Sequence, residues 1–133
     1  MPYGREFINL EIPTKNLQKF YIPKEPPSLG DEEKEIEMAL RKPIKKQPLS
    51  TMIDPQDKVA IVIDDITRPT PSCKIIHAIL NELEANKENL TIIVATGLHR
   101  KNKEDELKTL LGPGVLNKVK VFNHDAFKRK GLA

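Results

Sequence analysis

The sequence predicts an α/β domain: a Rossmann-like, mostly parallel sheet with flanking helices, preceded by an N-terminal β-hairpin and a helix. Three observations carry this. Two apolar runs, residues 59–63 and 90–95, have the length of buried strands, and each ends in polar residues. An amphipathic helical pattern separates them. A second helical pattern and a third strand, 119–122, then complete a βαβαβ series from Lys58 onward.

Residues 1–57 and 58–133 differ in character but are read as parts of one domain. The first part is dense in proline: Pro2, Pro13, Pro23, Pro26, Pro27, Pro43, Pro48 and Pro55. Phe7, Ile8, Leu10 and Ile12 suggest a short strand and Leu17, Phe20 and Ile22 a second, with a hairpin turn at Pro13-Thr14-Lys15-Asn16. Residues 24–29 form a proline-rich, extended connector. Residues 30–41 read as a helix with Asp31 as a cap, stopped by Pro43.

Residues 58–133 form the βαβαβ core, expected to be truncated at its C-terminus. Val59 to Ile63 is apolar at every position, the mark of a strand covered on both faces. Thr70 followed by Pro71 reads as an N-cap and a first helical proline. Ile76, Ile79, Leu80 and Leu83 then line one helix face. After the strand at 90–95, a helix at 104–111 is closed by Gly112-Pro113-Gly114. The third strand leads into Asn123-His124-Asp125. Right-handed crossovers put both helices on one face of the sheet unless the strand order reverses. The other face then needs cover from residues 1–57 or from outside this chain.

At 133 residues the chain has the size of one domain. Its net charge of +3 arises from interspersed Lys and Glu, so no nucleic-acid footprint is expected. The one basic cluster, Lys128-Arg129-Lys130, reads as a solvated tail. A single cysteine, Cys73, excludes an internal disulfide, and scattered histidines make no recognisable zinc site. No apolar run resembles a signal peptide or approaches the roughly 20 residues of a membrane span. A cytoplasmic protein is expected.

The chemistry gathers at two strand ends. In open α/β sheets ligands bind where parallel strands end. The first end carries Asp64-Asp65 and then Arg68, framed by Thr67 and Pro69. Strand alternation sends the two aspartates to opposite sides, so one at most is expected in a given cleft. Proline restricts Arg68 to extended conformations, and a fixed guanidinium suits a carboxylate or a phosphate. The plainer reading is a surface Asp65–Arg68 ion pair. The second end is Thr96-Gly97-Leu98-His99-Arg100. Gly97 permits a positive φ or close approach to a ligand. His99 follows a buried strand and a glycine, the right place for a general base, although a lone loop histidine is more often without chemistry. His77 reads as structural. His124 also ends a strand, with Asp125 beside it as a candidate orienting group. Cys73, in the first turn of its helix, reads as a packed thiol rather than a nucleophile. The adjacent aspartates do not make an Asp-x-Asp phosphatase pattern, and Gly97 alone makes no phosphate-binding loop.

Taken together, DDITRPTP at 64–71 and VATGLHR at 94–100, with Glu104 and Glu106 just after, resemble the N-terminal domain of the nickel-dependent lactate racemase family. The resemblance covers essentially the whole chain. It implies racemisation or epimerisation of 2-hydroxy acids, by hydride transfer to a nickel-pincer nucleotide while a histidine takes the hydroxyl proton. It aligns His99 with that histidine, and Asp65 and Arg68 with residues beside the cofactor. Thr67, Thr96, Gly97 and Arg100 align as lining residues. The family's second catalytic histidine, its cofactor-bearing lysine and its nickel-ligating histidine come later than Ala133, so no residue here is assigned to metal. The segment alone is therefore expected to be inactive and to need the missing C-terminal domain. An expressed fragment is favoured over a natural single-domain relative, and exposed apolar surface could make it a homodimer. Two alternatives stay open: a non-catalytic nucleotide- or anion-binding module of the same fold, and a purely structural subunit.

Overall fold

In the computed structural model, residues 1–83 and 88–128 are described. Arg129 and Lys130 of the basic run lie outside them. Three strands, β3 (Val59–Asp64), β4 (Leu90–Ala95) and β5 (Lys120–Asn123), form a parallel sheet in the order β3-β4-β5. A small antiparallel pair, β1 (Pro2–Tyr3) and β2 (Glu6–Phe7), precedes them. Ile61 lies opposite Ile92, and Ile92 opposite Val121, so the apolar positions of the three strands fall in rows. The register also places Asp64 opposite Ala95, which sets the two chemically able loops side by side.

Helices α2 (Ser72–Glu82) and α3 (Glu104–Leu111) pack against each other on one face of the sheet. This is the arrangement that two right-handed crossovers in unreversed strand order require. Their apolar stripes meet the strands in a core of Ile76, Leu80, Leu83, Leu90, Ile92, Val94, Leu110, Leu111, Val115 and Val119. Burying such a side chain stabilises the fold by about 1.5–3 kcal/mol each. Helix α1 (Glu32–Arg41) is capped by Asp31, whose carboxylate accepts from the Lys34 N–H. It packs on α2, with Arg41–Glu82 and Lys74–Glu32 pairs across the contact. Leu49 and Ile53 behind it are half-buried on the core.

Four expectations change. The hairpin turns at Gly4-Arg5 rather than at 13–16, and residues 17–22 form no strand. Instead, 14–16 is a single 3₁₀ turn, and every side chain from Tyr3 to Leu29 is exposed. Prolines on both sides of that stretch remove the donors a ladder needs. Thr70 does not cap α2; Pro71 occupies the cap position and the Thr70 hydroxyl donates to Asp64 Oδ2 at 2.7 Å. The last strand starts one residue later than expected, at Lys120. Finally, Val59 to Ile63 is not covered on both sides: Val62 is 64% exposed, because α1 and residues 49–53 pack on the helical side and leave the other face open. No helix among the described residues is long and apolar enough to cross a membrane.

Candidate functional site

A cleft of about 340 Å³ opens where β3 and β4 end, lined from one loop by Asp64, Asp65 and Arg68 and from the other by Thr96, Gly97, Leu98 and His99. Both aspartates border it. Alternation separates side chains only within a strand, and Asp65 lies one residue past the end of β3.

Asp65 is the buried centre of the site, 3% exposed. Its Oδ1 accepts from the Thr67 hydroxyl at 2.6 Å and the Thr67 N–H at 3.0 Å. Its Oδ2 lies 2.6 Å from His99 Nδ1. The Thr67 hydroxyl and then His99 hold the Asp65 carboxyl down to about 2, against the opposing effect of burial. An ionised carboxylate only accepts, so Nδ1 of His99 must carry the proton in this contact. In neutral His99 the free lone pair is therefore on Nε2, on an imidazole whose side chain is 52% exposed.

Arg68 closes the first loop with its own backbone, its N–H donating to Asp65 O at 3.1 Å. Its guanidinium is exposed at the cleft and has no side-chain partner among the described residues. The Asp65–Arg68 ion pair does not form, because Thr67 and His99 take the carboxylate.

The second loop is held at its base. The buried Thr96 hydroxyl donates to His124 O at 2.6 Å, and the His124 N–H donates to Val94 O at 2.9 Å. Gly97 has φ +57°, and nothing lies within 4 Å of where a Cβ would stand. The glycine is thus required by backbone conformation and leaves open space toward a ligand. Arg100 is drawn away from the cleft: its guanidinium makes two bonds to Glu106, at 2.8 and 2.6 Å, at the start of α3. That fork, helped by the Lys103 N–H, pushes Glu106 down to about 2.

The structure therefore brings Asp65, Arg68, Thr96, Gly97 and His99 together directly. Thr67 acts through Asp65, and Arg100 serves the loop's far end. Asp125 does not hold His124; its carboxylate accepts from the Phe127 N–H and pairs with Lys101. His77 binds Leu111 O through Nε2, and Cys73 packs beneath Gly112. Sequence reasoning missed the Asp65–His99 contact itself. The signal that could have found it is the parallel pairing of the two strands, which makes the residues just beyond Asp64 and Ala95 neighbours.

The chain is similar to known proteins in sequence and in fold. The family profile described as lactate racemase N-terminal domain matches residues 3–133. The chain is 28% identical over 130 residues to lactate racemase of Thermoanaerobacterium thermosaccharolyticum, covering 95% of this chain and 30% of that protein. It is 27% identical over 128 residues to lactate racemase of Lactiplantibacillus plantarum, covering 93% of this chain and 30% of that protein. The lactate racemase apoprotein structure from T. thermosaccharolyticum superposes with a TM-score of 0.64 at 29% identity, over 71% of this chain and 23% of that one. A Thermotoga maritima protein superposes at 0.61 and 27% identity, over 85% and 25%. The chain thus spans less than a third of the length of these relatives, over a segment that contains both site loops, and it belongs to the lactate racemase N-terminal domain family.

Proposed function

We propose that this chain is the N-terminal part of a lactate racemase-type isomerase acting on a 2-hydroxy acid, and that His99 is one of its acid–base groups. The observation that carries the reading is the 2.6 Å Asp65–His99 pair beside Arg68, whose guanidinium has no side-chain partner among the described residues. Asp65 fixes the imidazole's tautomer and orientation, and Thr67 fixes Asp65. Nε2 of His99 accepts the proton of the substrate hydroxyl and returns it on the reverse step. Arg68 binds the substrate carboxylate or a cofactor phosphate; its free fork suits either.

The site's exposed cation and the open backbone at Gly97 suit a phosphate-bearing group such as the nickel-pincer nucleotide. When bound, that group supplies the hydride acceptor and donor. Arg68, Thr96 and Gly97 would form its contacts in this segment. The second base, the cofactor-bearing lysine and the nickel ligand are supplied from outside residues 1–133, so this segment alone is expected to show no turnover.

The test is lactate racemisation by a cofactor-loaded polypeptide that contains this segment. His99→Ala should lower turnover by about 10²–10⁴-fold with the circular-dichroism spectrum unchanged. Normal turnover would remove His99 from the mechanism. The reading as a non-catalytic anion-binding module rests on the same free Arg68. It predicts phosphate binding, by calorimetry, that Arg68→Ala abolishes and His99→Ala leaves intact, in a protein that never turns over lactate.

A further inference from the structure

Strand β5 ends on a polar residue at a core-facing position. The register sets Val121 opposite Ile92 and Asn123 opposite Val94, and Ile92 and Val94 are both fully buried. Asn123 therefore continues the row that faces α2 and α3, where an apolar side chain is the default. Its carboxamide is engaged instead on the backbone of one residue. Oδ1 accepts from the Asn102 N–H at 3.0 Å, and Nδ2 donates to the Asn102 carbonyl at 3.2 Å. Donor and acceptor side by side match both polar groups of a peptide residue, as a rung of a sheet would. A carboxylate lacks the donor, and serine is too short to span both groups.

Asn102 ends the loop that carries His99. Between Ala95 and Glu104 the chain has no regular structure; within it the His99 N–H donates to Thr96 O at 2.9 Å. The end of β5 grips this loop on both sides: the Thr96 hydroxyl donates to His124 O at 2.6 Å, and Asn123 holds Asn102. Asn102 is 6% exposed, and its own Nδ2 is buried without a partner among the described residues. Burying that residue is unfavourable in itself, by the cost of an unmade hydrogen bond, and the pair with Asn123 offsets it. His99, just upstream, has a side chain that is 52% exposed and bonded to Asp65. Packing does little to fix this imidazole, so its place depends on where the loop's backbone stands.

We infer that Asn123 is a positioning residue for His99: it fixes the Asn102 backbone, and through it the loop that brings the imidazole to Asp65. Neither Asn123 nor Asn102 lines the cleft, so Asn123 acts through the loop and not on a ligand. Without the pair, the stretch after His99 is held by Arg100–Glu106 and Lys101–Asp125. Both basic side chains are exposed, and ion pairs of that kind hold a backbone weakly. The Asp65 contact then lengthens, and the proton of neutral His99 is no longer confined to Nδ1. The consequence for turnover rests on the acid–base role proposed for His99; the positioning does not.

The test uses a polypeptide that contains this segment, with isotope-labelled histidine, in mildly alkaline buffer where an imidazole is neutral. Ring-nitrogen resonances read the tautomer of His99, whose signal is identified by its loss in His99→Ala. The parent should show Nδ1–H. Asn123→Asp and Asn123→Ser should each show a mixture in which Nε2–H appears, with the circular-dichroism spectrum unchanged. Asn102→Ala keeps the backbone pair but removes the buried amide, so it loosens packing at the same place and should keep Nδ1–H. In the cofactor-loaded form, the two Asn123 variants should lower kcat on lactate by about tenfold to a hundredfold, with KM within about twofold because Arg68 is untouched. Three results would overturn the inference: a parent without Nδ1–H, Nδ1–H alone in both Asn123 variants, or a loss of that tautomer in Asn102→Ala as complete as in Asn123→Ser. A changed tautomer with unchanged kcat would uphold the positioning and unseat His99 as an acid–base group, so the two readings fail separately.

Discussion

At the scale of single residues, the site turns on Asp65. It is buried, ionised and fully engaged, with Thr67 on one oxygen and His99 on the other. Its carboxyl titrates at about 2 in the folded protein against an ordinary 3.8. The folded state therefore holds that proton less tightly than the unfolded chain. The stability this confers is fully present above about pH 4 and is lost as the pH falls through about 2. Asp65→Asn removes the titration, so its melting temperature should fall less steeply between those two values than that of the parent. Melts recorded across that range check it, and parallel acid limbs would contradict it. The residue types of the site were legible in the sequence, because Asp, Arg, Gly and His stood at strand ends. Their pairing was not: which carboxylate meets which base depends on the lateral approach of two strands, and chain order does not encode that. The sequence offered Arg68 as the partner of Asp65, and burial chose His99.

At the scale of elements, the second half of the chain was the more readable. Leu90–Ala95 and Glu104–Leu111 fall where apolar period and the Gly112-Pro113-Gly114 stop place them. The first half is less readable, since its apolar residues are spaced like a strand's while prolines deny that stretch a ladder. The stop after α3 also has a packing role. Gly112 has φ +80°, and a Cβ there would stand 2.6 Å from Cys73 Sγ and 2.7 Å from His77 Nε2. Gly112→Ala should accordingly destabilise the fold by about 3 kcal/mol, through overpacking added to backbone strain. Gly97→Ala has the strain without the collision and should cost about 1 kcal/mol. Denaturant unfolding of the two variants side by side measures the difference; equal losses would mean that the α2–α3 contact can give way at Gly112.

At the scale of the whole molecule, stability and surface are divided along the chain. The core draws on residues from Leu49 onward, and no described side chain from Tyr3 to Leu29 is buried. A chain beginning at Gly30 should therefore unfold within about 0.5 kcal/mol of the parent. A larger loss in denaturant unfolding would show that the arm grips the core in solution. The same division governs where the aromatic rings lie. The sequence has no Trp, two Tyr and four Phe, and all six rings are exposed: Tyr3, Phe7, Phe20 and Tyr21 on the arm, Phe122 on the bare sheet face and Phe127 beyond it. The core is wholly aliphatic. Tyrosine emission from this protein thus comes from two rings that both sit on the arm. It reports on what settles against the first thirty residues, and a melt of the α/β core has to be followed by another signal.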